Sequence, residues 1–216
     1  MLERMGEFFD SRLEGYEEHM LTAIEGAGEF YPFTVEQLPM KDGVRVLDLG
    51  CGTGLELKYY FERNPYASVV GIDLAKGMLE KLKSNLAEYD VTVVCASYFD
   101  YPLGEECFDG VVSVESLHHF TVDEKIPLYK KVYSTLKQGC SFILTDYFSL
   151  TDEEEKKHRD DLEELKQKQE IFDSEFYHFD TPLTLAHEIE ALENAGFNKI
   201  EVLHSWGATS TIKVTK

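Results

Sequence analysis

The sequence predicts an α/β fold, a mostly parallel sheet with helices on both faces. Two features of its patterning point there. Short apolar runs alternate with helical patterns through the first two thirds of the chain, as successive βαβ units require. Two alternating segments then close the chain, Lys199–His204 and Thr209–Val214, joined through Trp206-Gly207, and they read as an antiparallel hairpin added to the sheet edge.

Taken in order, Phe8 to Ile24 places Phe9, Leu13, Tyr16, Met20 and Ile24 at helical spacing, which predicts a helix that packs over or beside the core. Strands are expected at Val44–Leu49, Ser68–Ile72, Val91–Cys95, Phe108–Val114 and Ser141–Thr145, with helices between them at Leu55–Arg63, Lys76–Tyr89 and Asp123–Leu136. Gly43, Gly71, Gly110 and Gly139 stand at or near strand starts, and Pro65 follows the first crossover helix. The pattern changes at Leu150. Thr151-Asp152-Glu153-Glu154 reads as a helix start with an acidic first turn, and the charged run that follows to Ile171 reads as a solvated helix laced with ion pairs, Leu162 and Leu165 giving it a narrow packing face. Phe172 to Phe179 is a dense aromatic patch. Pro182 opens a last helix, Leu183–Asn194, closed at Gly196.

The chain has 216 residues, enough for one large domain with a modest insertion. Its 43% hydrophobic and 29% charged residues mark a soluble globular class. The net charge of -20 repels phosphate backbones and anionic lipid headgroups, so neither nucleic acid nor membrane is expected as a partner. Cys51, Cys95, Cys107 and Cys140 lack paired spacing and read as small buried hydrophobes in a reducing compartment. No apolar run reaches the roughly 18 residues of a membrane span, and the N-terminus has no secretory pattern, so a cytoplasmic protein is expected.

The most informative stretch is Val44-Arg45-Val46-Leu47-Asp48-Leu49-Gly50-Cys51-Gly52-Thr53-Gly54, a strand that ends in an acid and turns through three glycines into a helix. Ile72-Asp73 closes the next strand about 20 residues later, the interval of an acid that grips a ribose. A nucleoside-bearing small molecule at the carboxyl ends of the strands is therefore expected. The loop is not the dinucleotide fingerprint, which needs glycine where Leu55 stands, and it lacks the Gly-Lys-Ser/Thr of a P-loop. Asp48 would repel a phosphate and attract an amino group. The site thus suits a nucleoside carrying an amino acid.

Four motifs in order resemble the class I (Rossmann-like) S-adenosylmethionine-dependent methyltransferases: Val46 to Gly54, Gly71-Ile72-Asp73-Leu74-Ala75-Lys76-Gly77-Met78-Leu79, Ala96-Ser97-Tyr98-Phe99-Asp100-Tyr101-Pro102-Leu103, and Cys107-Phe108-Asp109-Gly110 through Phe120. The resemblance implies one methyltransferase domain over 1–216. It implies a three-layer αβα sandwich whose seven-stranded sheet runs 3-2-1-4-5-7-6, the last strand antiparallel. An N-terminal helical lid over 1–40 and a cap insertion over 151–181 are expected within it. The implied cofactor is S-adenosylmethionine. Gly50, Cys51 and Gly52 would approach its methionine moiety, with Asp48 toward the amino group. Asp73 would accept from both ribose hydroxyls, and Leu74 and Met78 would flank the adenine. Ser97 stands where many members carry an acid facing the adenine amine, so the Tyr98 backbone N–H is a second candidate there. Val114 and Glu115 would line the reactive end.

Methyl transfer needs alignment more than acid–base work, although an acceptor hydroxyl or nitrogen can need a base. Candidates past the fourth strand are Glu115, His118 and His119; those of the insertion are Glu175, Tyr177 and His178. Tyr16, Tyr147, Phe176, Tyr177 and His178 are the candidate acceptor-pocket residues, with Phe9 also placed to shape a lid. The two adjacent histidines are expected to project in different directions, and no further His or Cys stands at metal-ligand spacing, so no metal is expected. The acidic surface favours a small or cationic acceptor over nucleic acid. Two other classes fit the same sheet: a cofactor-binding sensor without catalysis, which would have a closed acceptor pocket, and a nicotinamide-dependent reductase, disfavoured by Leu55 and by the lack of a Tyr-x-x-x-Lys pair.

Overall fold

A computed structural model describes all 216 residues. Its centre is a seven-stranded sheet built from β1 (Arg45–Leu49), β2 (Ser68–Asp73), β3 (Asp90–Cys95), β4 (Phe108–Val114), β5 (Leu136–Tyr147), β6 (Lys199–Trp206) and β7 (Thr209–Thr215). The strand order is 3-2-1-4-5-7-6, as the motif resemblance implies. The first five strands run parallel, and β7 pairs antiparallel with both β5 and β6. The order reverses between β1 and β4, where Asp48 lies opposite Val112. In such sheets a crevice opens at this switch, beyond the carboxyl ends of the strands.

Helices cover both faces. On one side α3 (Ala27–Glu36), α4 (Leu55–Arg63) and α5 (Lys76–Asn85) bury Phe30, Leu57 and Leu82 against β1 and β2. On the other, α6 (Val122–Thr135) and α8 (Leu185–Asn194) bury Leu128, Val132 and Leu192 against β4 and β5. A buried ion pair, Lys125 to Glu188 at 2.6 Å, ties these two helices together, and the Tyr129 hydroxyl donates to the same carboxylate. A capping box starts α6: the Thr121 side chain meets the third helical N–H, and Glu124 returns to the Thr121 N–H at 2.8 Å.

The N-terminal region differs from its expected single helix. It forms α1 (Met5–Asp10) and α2 (Tyr16–Ala23), separated by a turn in which Gly15 takes a left-handed φ of 79°. An unbroken helix would have put this glycine at its centre, where it is costly. Within the expected helical lid over 1–40, α3 has no periodic signal of its own, because Ala-Gly-Glu-Phe-Tyr-Pro-Phe-Thr-Val-Glu has poor intrinsic helicity. Tertiary packing forms it: Phe30, Tyr31 and Val35 are buried. Cys95 is a second difference. It is exposed rather than buried, because β3 is the sheet's edge strand; Cys51 is buried, and no cysteine is bridged.

The charged run after Leu150 forms α7 (Asp152–Lys168), with ion pairs such as Lys157 to Asp161 at 3.2 Å along its exposed side. It is anchored through Glu155, whose carboxylate accepts from the Thr184 N–H at 2.6 Å and pairs with His187 at 2.8 Å. No helix is long and apolar enough to cross a membrane.

Candidate active site

The glycine loop after β1 forms one wall of the crevice. Gly50 has φ 80° and Gly52 has φ 46°, a region that L side chains rarely adopt. A Cβ on Gly50 would stand 2.0 Å from the Ser116 hydroxyl, whereas one on Gly52 would meet nothing within 4 Å. The loop is held from below by Asp73 at the end of β2. Its carboxylate accepts from the Gly52 N–H at 2.9 Å and the Ala75 N–H at 2.8 Å. Burial raises the Asp73 carboxyl above the ordinary range, and these backbone donors oppose the rise. Behind the loop lies Asp48, fully buried, with neither carboxylate oxygen hydrogen-bonded to a donor. Burial, and then the neighbouring Glu56, push its carboxyl far up, and burial raises the Glu56 carboxyl as well.

A narrow cavity of about 50 Å³ follows, lined among others by Gly50, Gly52, Asp73, Leu74, Met78 and Tyr98. Of the expected cofactor-contacting residues, Glu115 also lines it. Asp48 and Cys51 sit beneath the loop, and Val114 belongs to the core behind it. The Ser97 hydroxyl is turned inward instead, accepting from the Phe99 N–H at 3.2 Å to hold the turn after β3. The Tyr98 ring takes the wall position, its hydroxyl 3.2 Å from that of Ser116. Ser116 and Phe120 carry no sequence signal of their own; they are found by following the chain past β4.

A second cavity, about 630 Å³, adjoins the first and shares Phe9, Tyr16, Glu115 and His119 with it. Its polar floor is built at the ends of β4 and β5. Glu115 adopts a left-handed φ of 49°, a strained conformation for a side-chain-bearing residue and one that recurs at functional sites. Its N–H donates to Thr145 and its carboxylate accepts from Thr209. Burial, opposed by His118 and reinforced by Asp146, raises Glu115 to about 7. After it, Leu117–His119 form a 3-10 turn on which the two histidine rings converge, their centroids 4.0 Å apart, rather than diverging as expected for neighbours.

The histidines have opposite charge states. His118 Nδ1 lies 2.6 Å from Asp146, a buried carboxylate that also accepts from the Leu117 and Tyr147 N–H groups. Burial works against a proton on His118, but the Asp146, Glu115 and Asp180 carboxylates outweigh it and raise the imidazole to about 9. His119 is lowered to about 4, by burial and then by the charge on His118. At neutral pH the first is an imidazolium and the second a neutral ring.

The roof joins two segments distant in sequence. The Met5 N–H donates to Phe176 at 2.8 Å, the His178 N–H donates to Glu3 at 2.9 Å, and Arg4 and Tyr177 form an antiparallel bridge between them. The His178 ring stacks on Phe8 with centroids 3.4 Å apart, and Phe176 packs on Phe99 and Phe120. Among the candidate acceptor-pocket residues, Tyr16 and His178 line the large cavity. Phe176 lines neither cavity, Tyr147 packs edge-on to His118, and the Tyr177 hydroxyl turns away to Asp173 at 3.1 Å. Glu175 is exposed, outside both cavities. Arg12, Asp146 and Asp180 join the site without having been expected, since nothing in their spacing relates them to the histidines.

Residues 46–139 match the profile of a family described as a methyltransferase domain. An uncharacterized methyltransferase from Anoxybacillus flavithermus is 30% identical over 146 residues, 68% of this chain and 65% of that protein. The chain thus spans just under two thirds of the length of that curated relative. Among solved structures, phosphoethanolamine N-methyltransferase 2 of Haemonchus contortus, in complex with S-adenosyl-L-methionine, superposes with a TM-score of 0.69 at 21% identity, covering 92% of this chain and 44% of that one. The [4+2]-cyclase SpnF superposes at 0.71 with 15% identity, covering 97% and 93%, a likeness of fold alone. With its four motifs in order and its 3-2-1-4-5-7-6 sheet, the chain belongs to the class I, Rossmann-like family of S-adenosylmethionine-dependent methyltransferases.

Proposed function

We propose that the protein transfers a methyl group from S-adenosylmethionine to an oxygen, nitrogen or carbon of a small-molecule acceptor, by in-line displacement. The observation that carries this reading is the contiguity of the two cavities. The narrow one beside the glycine loop opens at Glu115 and His119 into one of about 630 Å³, a size suited to a metabolite. A sensor without catalysis would need no such second space. The residues fit the cofactor: open room over Gly52, an orphaned carboxyl at Asp48 and an acid at the ribose position.

When bound, the sulfonium supplies the electrophilic methyl group. The chain's own residues do the rest. Asp73 accepts from the ribose hydroxyls, the Asp48–Glu56 pair faces the ammonium end through the loop, and Leu74, Met78 and Tyr98 enclose the base. The N-terminal lid (1–40) and the insertion (151–181) close as one roof, with Met5 and Phe9 excluding water from the donor. Holding the acceptor in line is the dominant contribution, since oriented proximity is worth up to about 7–11 kcal/mol. The three acid–base candidates separate by charge. Without a metal, His118 already carries its proton at neutral pH and is not free to take one from an acceptor. Glu115, near 7, and the neutral His119 are free to take a proton from an acceptor.

The test is a screen of metabolite pools with methyl-labelled S-adenosylmethionine. Label in an acceptor fraction, with S-adenosylhomocysteine formed in equal amount, is the expected result. Tight S-adenosylhomocysteine binding with no label in any pool would leave the sensor reading instead.

A further inference from the structure

Beyond methyl transfer, the histidine floor of the large cavity has the construction of a metal centre. Ligand atoms of His118, His119 and Asp180 all lie within 4.8 Å of one another. His119 Nδ1 stands 3.0 Å from Asp180 Oδ1, and His118 Nε2 stands 3.7 Å from the same oxygen. A metal held at about 2.1 Å by nitrogen and oxygen donors places neighbouring donors roughly 3 to 3.5 Å apart, the spacing of the His119–Asp180 pair, with His118 Nε2 slightly wide of it. The nearest pair is also not aligned as a hydrogen bond. Both His119 Nδ1 and Asp180 Oδ1 are buried atoms without a hydrogen-bond partner, two lone-pair donors set side by side.

The supporting shell is of the kind that metal-bound histidines have. His118 commits Nδ1 to Asp146, which leaves Nε2 directed toward Asp180, and Asp146 is itself fixed by two backbone N–H groups. Glu115 groups with His118 and Asp146 within the same 4.8 Å. All three ligand residues, with Glu115, line the large cavity, so open coordination positions would face the acceptor.

We propose that His118, His119 and Asp180 bind a divalent first-row transition metal, which displaces the proton from His118 Nε2 to solvent, in a two-histidine, one-carboxylate set with positions left for an acceptor oxygen. Imidazole and carboxylate together select zinc, iron, cobalt or manganese over magnesium or calcium. The assignment does not depend on the methyl-transfer reading, because the ligands are in place without the cofactor.

Untagged full-length protein, stripped with chelator, should be titrated with Co²⁺ by visible absorption and with Zn²⁺ by calorimetry. One saturable equivalent is expected, with the d–d bands of nitrogen and oxygen ligation. His119→Ala and Asp180→Asn should each weaken binding at least tenfold; Asp180 is half-exposed, so its variant keeps the fold. Asp146→Asn should weaken binding by about 10- to 100-fold while leaving the stoichiometry at one. Lack of saturation at millimolar metal would overturn the proposal. So would binding that is unchanged in both ligand variants, which would assign it to the acidic surface. Calorimetry with S-adenosylhomocysteine on the same samples separates the two readings. Retained nucleoside binding without metal sinks this inference alone, and metal binding without nucleoside sinks the cofactor assignment alone.

Discussion

The two cavities meet at Glu115 but are walled by different kinds of group. The narrow one is centred on a backbone loop and the acid beneath it, Gly50 and Gly52 in left-handed conformations with Asp73 pinning the loop through the Gly52 N–H, and apolar side chains such as Leu74, Met78 and Tyr98 close it. The wide one is built from side chains contributed by α1, α2, the end of β4 and the segment before α8. Backbone geometry suits a ligand moiety that never changes. Side chains on separately varying segments suit a ligand that differs from protein to protein. Substitutions in one half should therefore leave the other half's ligand nearly untouched.

The largest effect is expected at Asp73. Asp73→Ala would remove the two charge-assisted hydrogen bonds proposed to reach the ribose, each worth ~1.5–3 kcal/mol, and release the Gly52 and Ala75 N–H groups that it holds. S-adenosylhomocysteine affinity should fall by at least 100-fold in calorimetry. An affinity within threefold of wild type would remove Asp73 from the cofactor half.

A smaller effect separates the acceptor half by pH. The His118 pKa is raised from 6.5 to about 9 by Asp146 and its neighbours, against burial. A raised cation gives stability that is complete below about pH 6.5 and is lost as pH rises through 9. The shift corresponds to roughly 3 kcal/mol, counted once for the pair. In chemical denaturation, the gap between wild type and Asp146→Asn should therefore narrow by about that amount from pH 6 to pH 10. A gap independent of pH would place the proton elsewhere.

The smallest effect concerns the roof. His178→Ala removes a stacked contact on Phe8, worth roughly 0.5–1.5 kcal/mol. Amide exchange over residues 1–15 should speed up about fivefold, while S-adenosylhomocysteine affinity stays within threefold. Unchanged exchange would mean that the Arg4–Tyr177 bridge alone fastens the lid.

The same division explains what was legible in the sequence. The glycine loop and Asp73 are local signals: a strand, a turn with forced left-handed residues and an acid at fixed distance cannot be rearranged without losing the motif, and the sheet order followed from the family resemblance that the four motifs carry. The acceptor half is not local. Asp146 lies 28 residues from His118, and Asp180 some 60, so no spacing announces that they meet at one cavity. Gly15 could be read as a tolerated helix residue, yet it breaks the N-terminal helix and lets α1 reach over Leu74 and Met78. Ser97 kept the position of an adenine-facing acid but spends its hydroxyl on the Phe99 N–H, a short-range competition that position alone does not reveal.

The central claim is that one crevice at the β1/β4 switch holds the cofactor with its reactive end toward the histidine floor. A crystal structure of the protein with S-adenosylhomocysteine tests it most directly. Both ribose hydroxyls should lie on the Asp73 carboxylate, the adenine between Leu74 and Met78, and the sulfur at the mouth of the large cavity beside Glu115 and His119. A nucleoside bound away from Asp73, or a sulfur directed away from that cavity, would contradict the account.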